Sequence, residues 1–192
     1  MRRLAILAAL ILVACGEKQL TDTDFKVVLD KEFNQAGPVC VPLDKGFPAT
    51  LNQMELEYGV GRALGALEGA GLLSSSVDGK GRRYEVTESG KRFYTEREGK
   101  TVGLTVQKVK HGYMCFADMR VEKVNRWDTQ AEGFVVAYTY RLENVASWAT
   151  TPSVMQTMPK LAIWLNGAQK TERKIFVRKT GSGLEAVTDK NS

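Results

Sequence analysis

The stretch Leu51–Tyr94 constrains the fold more than any other part of the chain. At its centre stands ALGALEGAGLLSSSVDGKGRRYEVTESGKRFY. Leu51, Met54, Leu56 and Tyr58 recur as the apolar members of a helix that Thr50 can cap, and Gly59 with Gly61 interrupts it. Val60, Ala63, Leu64 and Leu67 form the apolar face of a second helix, which Gly69-Ala70-Gly71 ends. Gly61, Gly65 and Gly69 lie four apart, so they line one side of that helix and predict close packing there. Leu72-Leu73 begins a strand and Asp78-Gly79 turns it. In the return strand Tyr84 and Val86 alternate with Arg83 and Glu85, and Thr87 caps a last helix carrying Phe93 and Tyr94.

This order of elements resembles the winged-helix module of bacterial repressors of the MarR and PadR kind. The resemblance implies a compact helical scaffold. In those repressors the helix matching Gly59–Gly71 enters the major groove with polar and basic side chains. Here that helix offers Arg62 and Glu68 and otherwise Gly, Ala, Leu and Val. Duplex binding depends on neutralising phosphates, and a net-neutral helix does that poorly. Lys80, Arg82 and Arg83 make the wing basic, but Glu85 and Glu88 follow at once. The scaffold is expected without the DNA-reading surface, and no nucleic-acid partner is expected.

Met1 to Cys15 has the three parts of a secretory signal. Arg2 and Arg3 give the charged start, and Leu4–Val13 is an apolar run too short to span a bilayer. It closes on Leu12-Val13-Ala14-Cys15, which resembles the bacterial lipobox. The resemblance implies cleavage before Cys15, lipid on its thiol, and a membrane tether. Gly16 stands where an Asp commonly retains such proteins in the inner membrane, so the outer membrane, facing the periplasm, is the expected address. Without Arg2 and Arg3, the 27 basic side chains exceed the 22 acidic ones by only three. That excess does not commit the chain to an anionic polymer.

An exported chain matures in an oxidising compartment. With Cys15 taken by lipid, Cys40 and Cys115 are expected to bond to each other, closing a loop of about 75 residues worth roughly 4 kcal/mol in the chain-entropy model.

Along the rest of the chain, Thr21 or Thr23 can cap a helix with Asp22 and Asp24 at its positive end, and Phe25, Val28, Leu29 and Phe33 form its stripe. Pro38–Pro48 reads as an ordered loop pinned by Cys40. After Lys100 the texture turns to strands: Val102, Leu104, Val106 and Val109; then Tyr113–Val124 with Cys115, Ala117, Met119 and Val121 on one face; then FVVAYTYRL at Phe134–Leu142. Trp148–Pro159 reads as a short helix or ordered loop, Lys174–Lys179 as a strand, Leu184–Val187 as a short one. The expected fold is α+β: an N-terminal winged-helix-like helical half packed with a C-terminal antiparallel β-sheet. Its expected divisions are a signal peptide at 1–14, lipidated Cys and tether at 15–20, the helical segment at 21–98, the β-rich segment at 99–188 and a tail at 189–192.

Few residues suggest chemistry. The lone His111 sits beside Gly112 in an expected turn, with no cysteine cluster, so no metal ligand set is expected. Gly59-Val-Gly61-Arg-Ala-Leu-Gly65 superficially matches a dinucleotide loop, but a helical MELEY precedes it where a strand is needed. Gly181-Ser182-Gly183 lacks the nucleophile-elbow spacing. No enzyme reaction and no cofactor is expected. Lys170, Arg173, Lys174, Arg178 and Lys179, opposed by Glu172, form a candidate contact patch for anionic headgroups or an acidic partner; the alternative is a solvated edge strand. Trp127, Trp148 and Trp164 read as core plugs, or as the lining of a pocket. The layout as a whole is similar to uncharacterised envelope lipoproteins of Gram-negative bacteria. It leads to a non-enzymatic, lipid-anchored protein acting through an envelope protein partner. The alternative is a small-ligand or peptide binder with a pocket between the two halves, and a winged-helix DNA-binding regulator stands third.

Overall fold

The structure, a computed structural model, describes residues 19–101 and 107–187. Cys15, the tether up to Lys18, the apolar positions Val102, Leu104 and Val106, and the tail from Asp189 lie outside the described residues.

Helix α1 spans Asp22–Ala36 and opens on a capping box: Asp24 N–H donates to the Thr21 hydroxyl, and the Thr21 N–H donates back to the Asp24 carboxylate at 3.0 Å. Its buried stripe is Phe25, Leu29 and Phe33. Strand β1, Val39–Pro42, follows, then β2, Ala49–Leu51, a single-turn α2, Gln53–Glu57, and α3, Gly59–Gly69. The hairpin β3, Leu73–Asp78, and β4, Gly81–Val86, leads into the short α4, Glu88–Lys91, and β5, Tyr94–Thr101. β6 runs without a break from Gln107 to Gln130, and β7 returns over Gly133–Glu143. A 3-10 turn at Ser147–Thr150 precedes α5, Pro152–Thr157, and α6, Pro159–Gly167, and the chain closes with β8, Arg173–Thr180, and β9, Gly183–Val187.

The expected division into a helical winged-helix-like half and a separate C-terminal sheet is wrong. The dominant element is a six-stranded antiparallel sheet ordered β1-β6-β7-β8-β9, with β5 also paired to β6. It curls as a half-barrel, and the helices beside it are few and short. Two strands of the supposed helical half, β1 and β5, belong to that sheet, and α1 packs on it with Phe25 against Trp127 and Phe134. The reasons are local. Thr87 does cap a helix, but it spans only Glu88–Lys91, with Gly90 pressed against the Leu72 carbonyl, and the chain enters β5 at Tyr94. Thr50 lies in β2, and the cap of α2 is Asn52, which accepts from Glu55 N–H at 3.0 Å. Pro38–Pro48 is half strand, since Pro42 sits at the end of β1 where its missing N–H costs little.

A core of two parts explains the length of β6. Met114 and Phe116 join Val41, Leu51, Leu64, Leu67, Tyr84, Trp148 and Leu161 in one cluster. Val121 and Val124 join Phe25, Leu29, Phe33, Val136, Tyr138 and Tyr140 in the other. Cys115, Ala117, Met119 and Val121 are expected on one face. Instead Met114, Phe116 and Ala117 are buried and Cys115 and Met119 only partly so, because the β1–β6 register shifts between Val39 and Cys40. Two further bulges interrupt the β6–β7 pairing, the first at Val121/Lys123 and the second at Val124/Arg126. α1 satisfies the backbone the first bulge frees. The Asp30 carboxylate accepts from Val121 N–H at 2.7 Å, while Lys26 Nζ and Arg141 Nη1 donate to the Val121 carbonyl. A small second sheet, β2-β4-β3, lies against the first cluster through Leu51, Leu73 and Tyr84.

Cys40 and Cys115 are disulfide-bonded, as expected. They face each other directly across the β1–β6 ladder, so the bond fastens the first strand to the longest one.

Candidate functional site

Three separate segments build a cleft with apolar walls. The end of β1 and the turn after it supply Val41, Pro42, Leu43 and Asp44; the start of α3 supplies Gly59, Val60, Ala63 and Leu64; the α5–α6 junction supplies Thr157, Met158, Pro159 and Lys160. Its volume is about 230 Å³.

Each wall is held from behind. Leu43 N–H donates to the Gly112 carbonyl at 2.8 Å and Gly112 N–H donates to the Lys45 carbonyl at 3.0 Å, which ties the Asp44 turn to β6. Lys45 then reaches Glu55 of α2 at 2.6 Å. That ammonium, with the Asn52 backbone, holds the Glu55 carboxyl below the usual range. The rest of the loop is fixed through Tyr94, whose hydroxyl accepts from Phe47 N–H at 3.0 Å and donates to Glu96 at 2.7 Å. Burial first, then that carboxylate, pushes the Tyr94 phenol up to about 12. The Glu96 carboxyl is lowered, chiefly by the Tyr94 hydroxyl and then by Lys110 at 3.2 Å.

α3 is seated by one glycine. A Cβ at Gly61 would lie 2.5 Å from the Leu56 carbonyl oxygen and against the Glu55 backbone, whereas one at Gly65 or Gly69 would meet nothing within 4 Å. The glycine face expected to pack closely does so at Gly61 alone. Gly65 and Gly69 face outward.

The starts of α3 and α6 border the cleft and, like the start of α5, carry no side-chain cap. Thr21, Asn52 and Thr87 cap α1, α2 and α4 with side-chain hydrogen bonds, and each of those first turns carries an acid. α3 begins after Tyr58 and α6 after Met158, with no side-chain cap and no acidic residue in the first turn. Gly59, Val60, Pro159 and Lys160 are their opening residues, and all four line the cleft. Each start follows the end of another helix, α2 or α5, by a single intervening residue, and that helix's dipole opposes it; Lys160 is the charged residue among the four. Asp44 faces them; it and Lys160 form no ion pair among the described residues.

Large apolar side chains are exposed near the cleft. Met54 is 71% exposed, Tyr58 65% and Ile163 63%. Tyr58 adjoins Gly59 in the chain, and Ile163 follows Pro159 by one turn of α6. Pro159 also borders a shallow groove formed by Met155, Gln156, Ala162, Ile163 and Asn166. Tyr58, the cleft, the groove and Ile163 are linked through Gly59 and the shared Pro159 into one strip.

The residues singled out from sequence lie elsewhere. Lys174 and Arg178 share the outward face of β8, and Lys170 and Lys179 are exposed. Arg173 turns inward, its guanidinium 3.8 Å over the Trp164 ring. Glu172 is engaged by Arg126 at 2.9 Å and by Asn125 at 3.0 Å, so those partners hold its carboxyl low. Arg178 stands opposite Glu185 of β9. The structure does not bring the five basic residues onto one surface. Trp148 is buried in the first cluster, while Trp127 and Trp164 are partly buried beside the second. The His111 ring lies across Gly99. Among the described residues no group of three His, Cys, Asp or Glu could hold a metal ion, and no helix is long and apolar enough to cross a membrane. Sequence reasoning missed the cleft. Its one local signal was Pro159, a helix-starting proline directly followed by a lysine.

No protein-family model matches this chain. No characterised protein and no solved structure shows significant similarity to it either.

Proposed function

We propose that this chain is an exported, lipid-anchored envelope protein that works without catalysis, by binding another protein through the strip around the cleft. The observation that carries the reading is the strip of Tyr58, the cleft, Pro159 and Ile163. An exposed apolar patch of this kind marks an interaction site. The volume helps to choose the occupant. About 230 Å³ falls below the roughly 300–1,000 Å³ of sites that engulf small ligands, and suits a single inserted side chain. Export is supported by the pattern Leu4–Val13 before Cys15 and by the Cys40–Cys115 bond, which persists only in an oxidising compartment. The outer membrane, facing the periplasm, is the address the Gly16 position favours.

Two experiments test this. Labelled palmitate should enter the wild-type chain and not Cys15→Ala; absence of label in both removes the anchor. A photo-crosslinking residue placed at Tyr58 or Ile163 in living cells should trap a protein adduct, and the same residue at Val27 on α1 should not. Equal trapping at all three positions, or none, counts against the strip.

A further inference from the structure

We infer that Arg173 and Tyr138 form a binding site for the carboxylate of a small organic acid, placed between the last turn of α1 and α6 and separate from the cleft. Three observations lead to it. First, Arg173 is a cation without a counter-charge. Among the described arginines only Arg120, Arg141 and Arg173 are half-buried, and the rest are exposed. Arg120 and Arg141 both pair with Glu143, and Arg141 also with Glu122. Arg173 has no carboxylate partner among the described residues; Glu172, its neighbour in the chain, is taken by Arg126 and Asn125. The Arg173 Nε–H is buried and unpartnered, and the terminal nitrogens stay open to solvent. A cation that has lost part of its hydration and found no counter-charge gains from an incoming anion.

Second, another unpartnered donor stands beside it. Tyr138 lies directly opposite Arg173 in the β7–β8 ladder, so the two side chains leave the same face of the sheet. Tyr138 is only 5% exposed, yet its hydroxyl has no hydrogen-bond partner among the described residues. A buried tyrosine hydroxyl ordinarily finds one. Tyr140, two residues on, does so by donating to the Trp164 carbonyl at 2.8 Å. Burial pushes the Tyr138 phenol up to about 12 against the pull of the Arg173 charge, so at neutral pH it is a donor.

Third, aromatic rings frame both donors. Phe33, in the last turn of α1, packs on Tyr138 at 5.6 Å, and the Arg173 guanidinium lies 3.8 Å over the Trp164 ring. The stack fixes the guanidinium plane, and a fork held in one orientation matches the two oxygens of a carboxylate. The rings give the rest of the acid an apolar surface. One cation and one neutral hydroxyl balance a monoanion. A phosphate dianion would call for a second cation, and Lys174, the next residue, leaves the opposite face of β8.

The test uses the full mature chain and benzoate, with benzamide as its neutral counterpart. In proton–nitrogen correlation spectra the Arg173 Nε–H, assigned by its loss in Arg173→Lys, should move along a saturable curve with benzoate and stay still with benzamide. The Trp164 indole N–H is the second reporter. Followed there, Arg173→Lys keeps the charge but loses the fork, and Tyr138→Phe loses the hydroxyl; each should weaken benzoate about tenfold. Tyr138→Phe should leave the thermal melt unchanged, because the hydroxyl it removes has no partner. Arg178→Gln, on the outward face of β8, should bind as wild type.

No saturable movement with benzoate overturns the inference, and so does equal movement with benzamide, since ring stacking is then the whole interaction. Tighter binding of inorganic phosphate than of benzoate also overturns it, because the site then serves another anion. So does unchanged affinity in both variants. Should Arg173→Lys unfold the chain, Tyr138→Phe decides alone. None of these outcomes bears on the strip, which the crosslinks at Tyr58 and Ile163 test separately.

Discussion

Gly61 and Gly65 sit one turn apart on α3, and exchanging each for alanine should have opposite effects. Both substitutions gain about 0.5–1 kcal/mol from helix propensity, because glycine loses more backbone freedom on folding. That gain is common to both and cancels in the difference. What remains is the space each new methyl enters. At position 65 it enters solvent, with no atom within 4 Å. At position 61 it lies 2.5 Å from the Leu56 carbonyl oxygen and against the Glu55 backbone, none of which can rotate away as a side chain would. Overpacking of this kind costs about 1–3 kcal/mol, and rigid backbone neighbours place this case at the upper end. Gly65→Ala should therefore raise stability by up to about 1 kcal/mol and Gly61→Ala lower it by about 1–2. Urea unfolding followed by circular dichroism measures both, with unchanged slopes showing that the transition is the same one. Because Gly61 seats α3 on α2, its substitution should also shift Tyr58 and Gly59 and disturb the cleft. Two variants of equal stability would refute the argument, since the packing at Gly61 is then absent.

Reducing the Cys40–Cys115 bond, or replacing both cysteines by alanine, releases a 75-residue separation and should cost about 4 kcal/mol, read by denaturant unfolding with and without reductant. Asp30→Ala leaves the Val121 N–H without its carboxylate acceptor and should cost about 1–3 kcal/mol, while Asp22→Ala, in the exposed first turn of α1, should cost a small fraction of that. The Tyr94 phenol, held neutral to about 12 when folded and ionising near 10 when unfolded, contributes stability that is full below about pH 10 and is lost as pH rises towards 12. The Glu96 carboxyl, lowered in the fold, contributes stability present above the unfolded carboxylate pKa and lost as pH falls below it. Tyr94→Phe should move the Glu96 titration upward by NMR and shrink both limbs.

What the sequence revealed follows the range of its signals. α1 was legible because its cap, its acids and its apolar stripe all lie within fifteen residues and agree. β7 was legible from its β-branched and aromatic run, and the disulfide from the compartment and the number of cysteines left over. β5 was hidden because Thr87 is a true cap, and a cap does not tell how many turns follow it. β6 read as separate strands because His111-Gly112 looks like a turn, and it read short at its far end because two bulges break the alternation there, with the Val121 N–H satisfied by Asp30, about ninety residues earlier. The basic residues near the C-terminus looked like a patch because nearness in sequence was taken for nearness in space. On a strand, neighbours point to opposite faces, so Arg173 goes to Trp164 while Lys174 goes to solvent. Beyond Pro159 the cleft had no sequence signature, since its walls come from three segments far apart in the chain.

The placement of that cleft relative to the expected anchor leads to a last prediction. Leu20 packs beside the second core, and Phe25, one turn into α1, lies 4.9 Å from Trp127 and 5.2 Å from Phe134. The chain therefore leaves towards its N-terminus at the β6–β7 hairpin end. The cleft sits at the other end of β6, where Val41 pairs with Met114. Along the strand, Met114 to Trp127 is about 40 Å at 3.3 Å per residue. From Gly16 to Leu20 the chain can extend only about 17 Å. A lipid on Cys15 would thus hold the hairpin end near the membrane and present the cleft away from it. Ten Gly-Ser residues inserted between Gln19 and Leu20 should leave crosslinking at Ile163 unchanged, because a soluble partner follows the cleft wherever it stands. A strong fall in crosslinking would mean that the partner is fixed at the membrane surface, which this geometry does not allow.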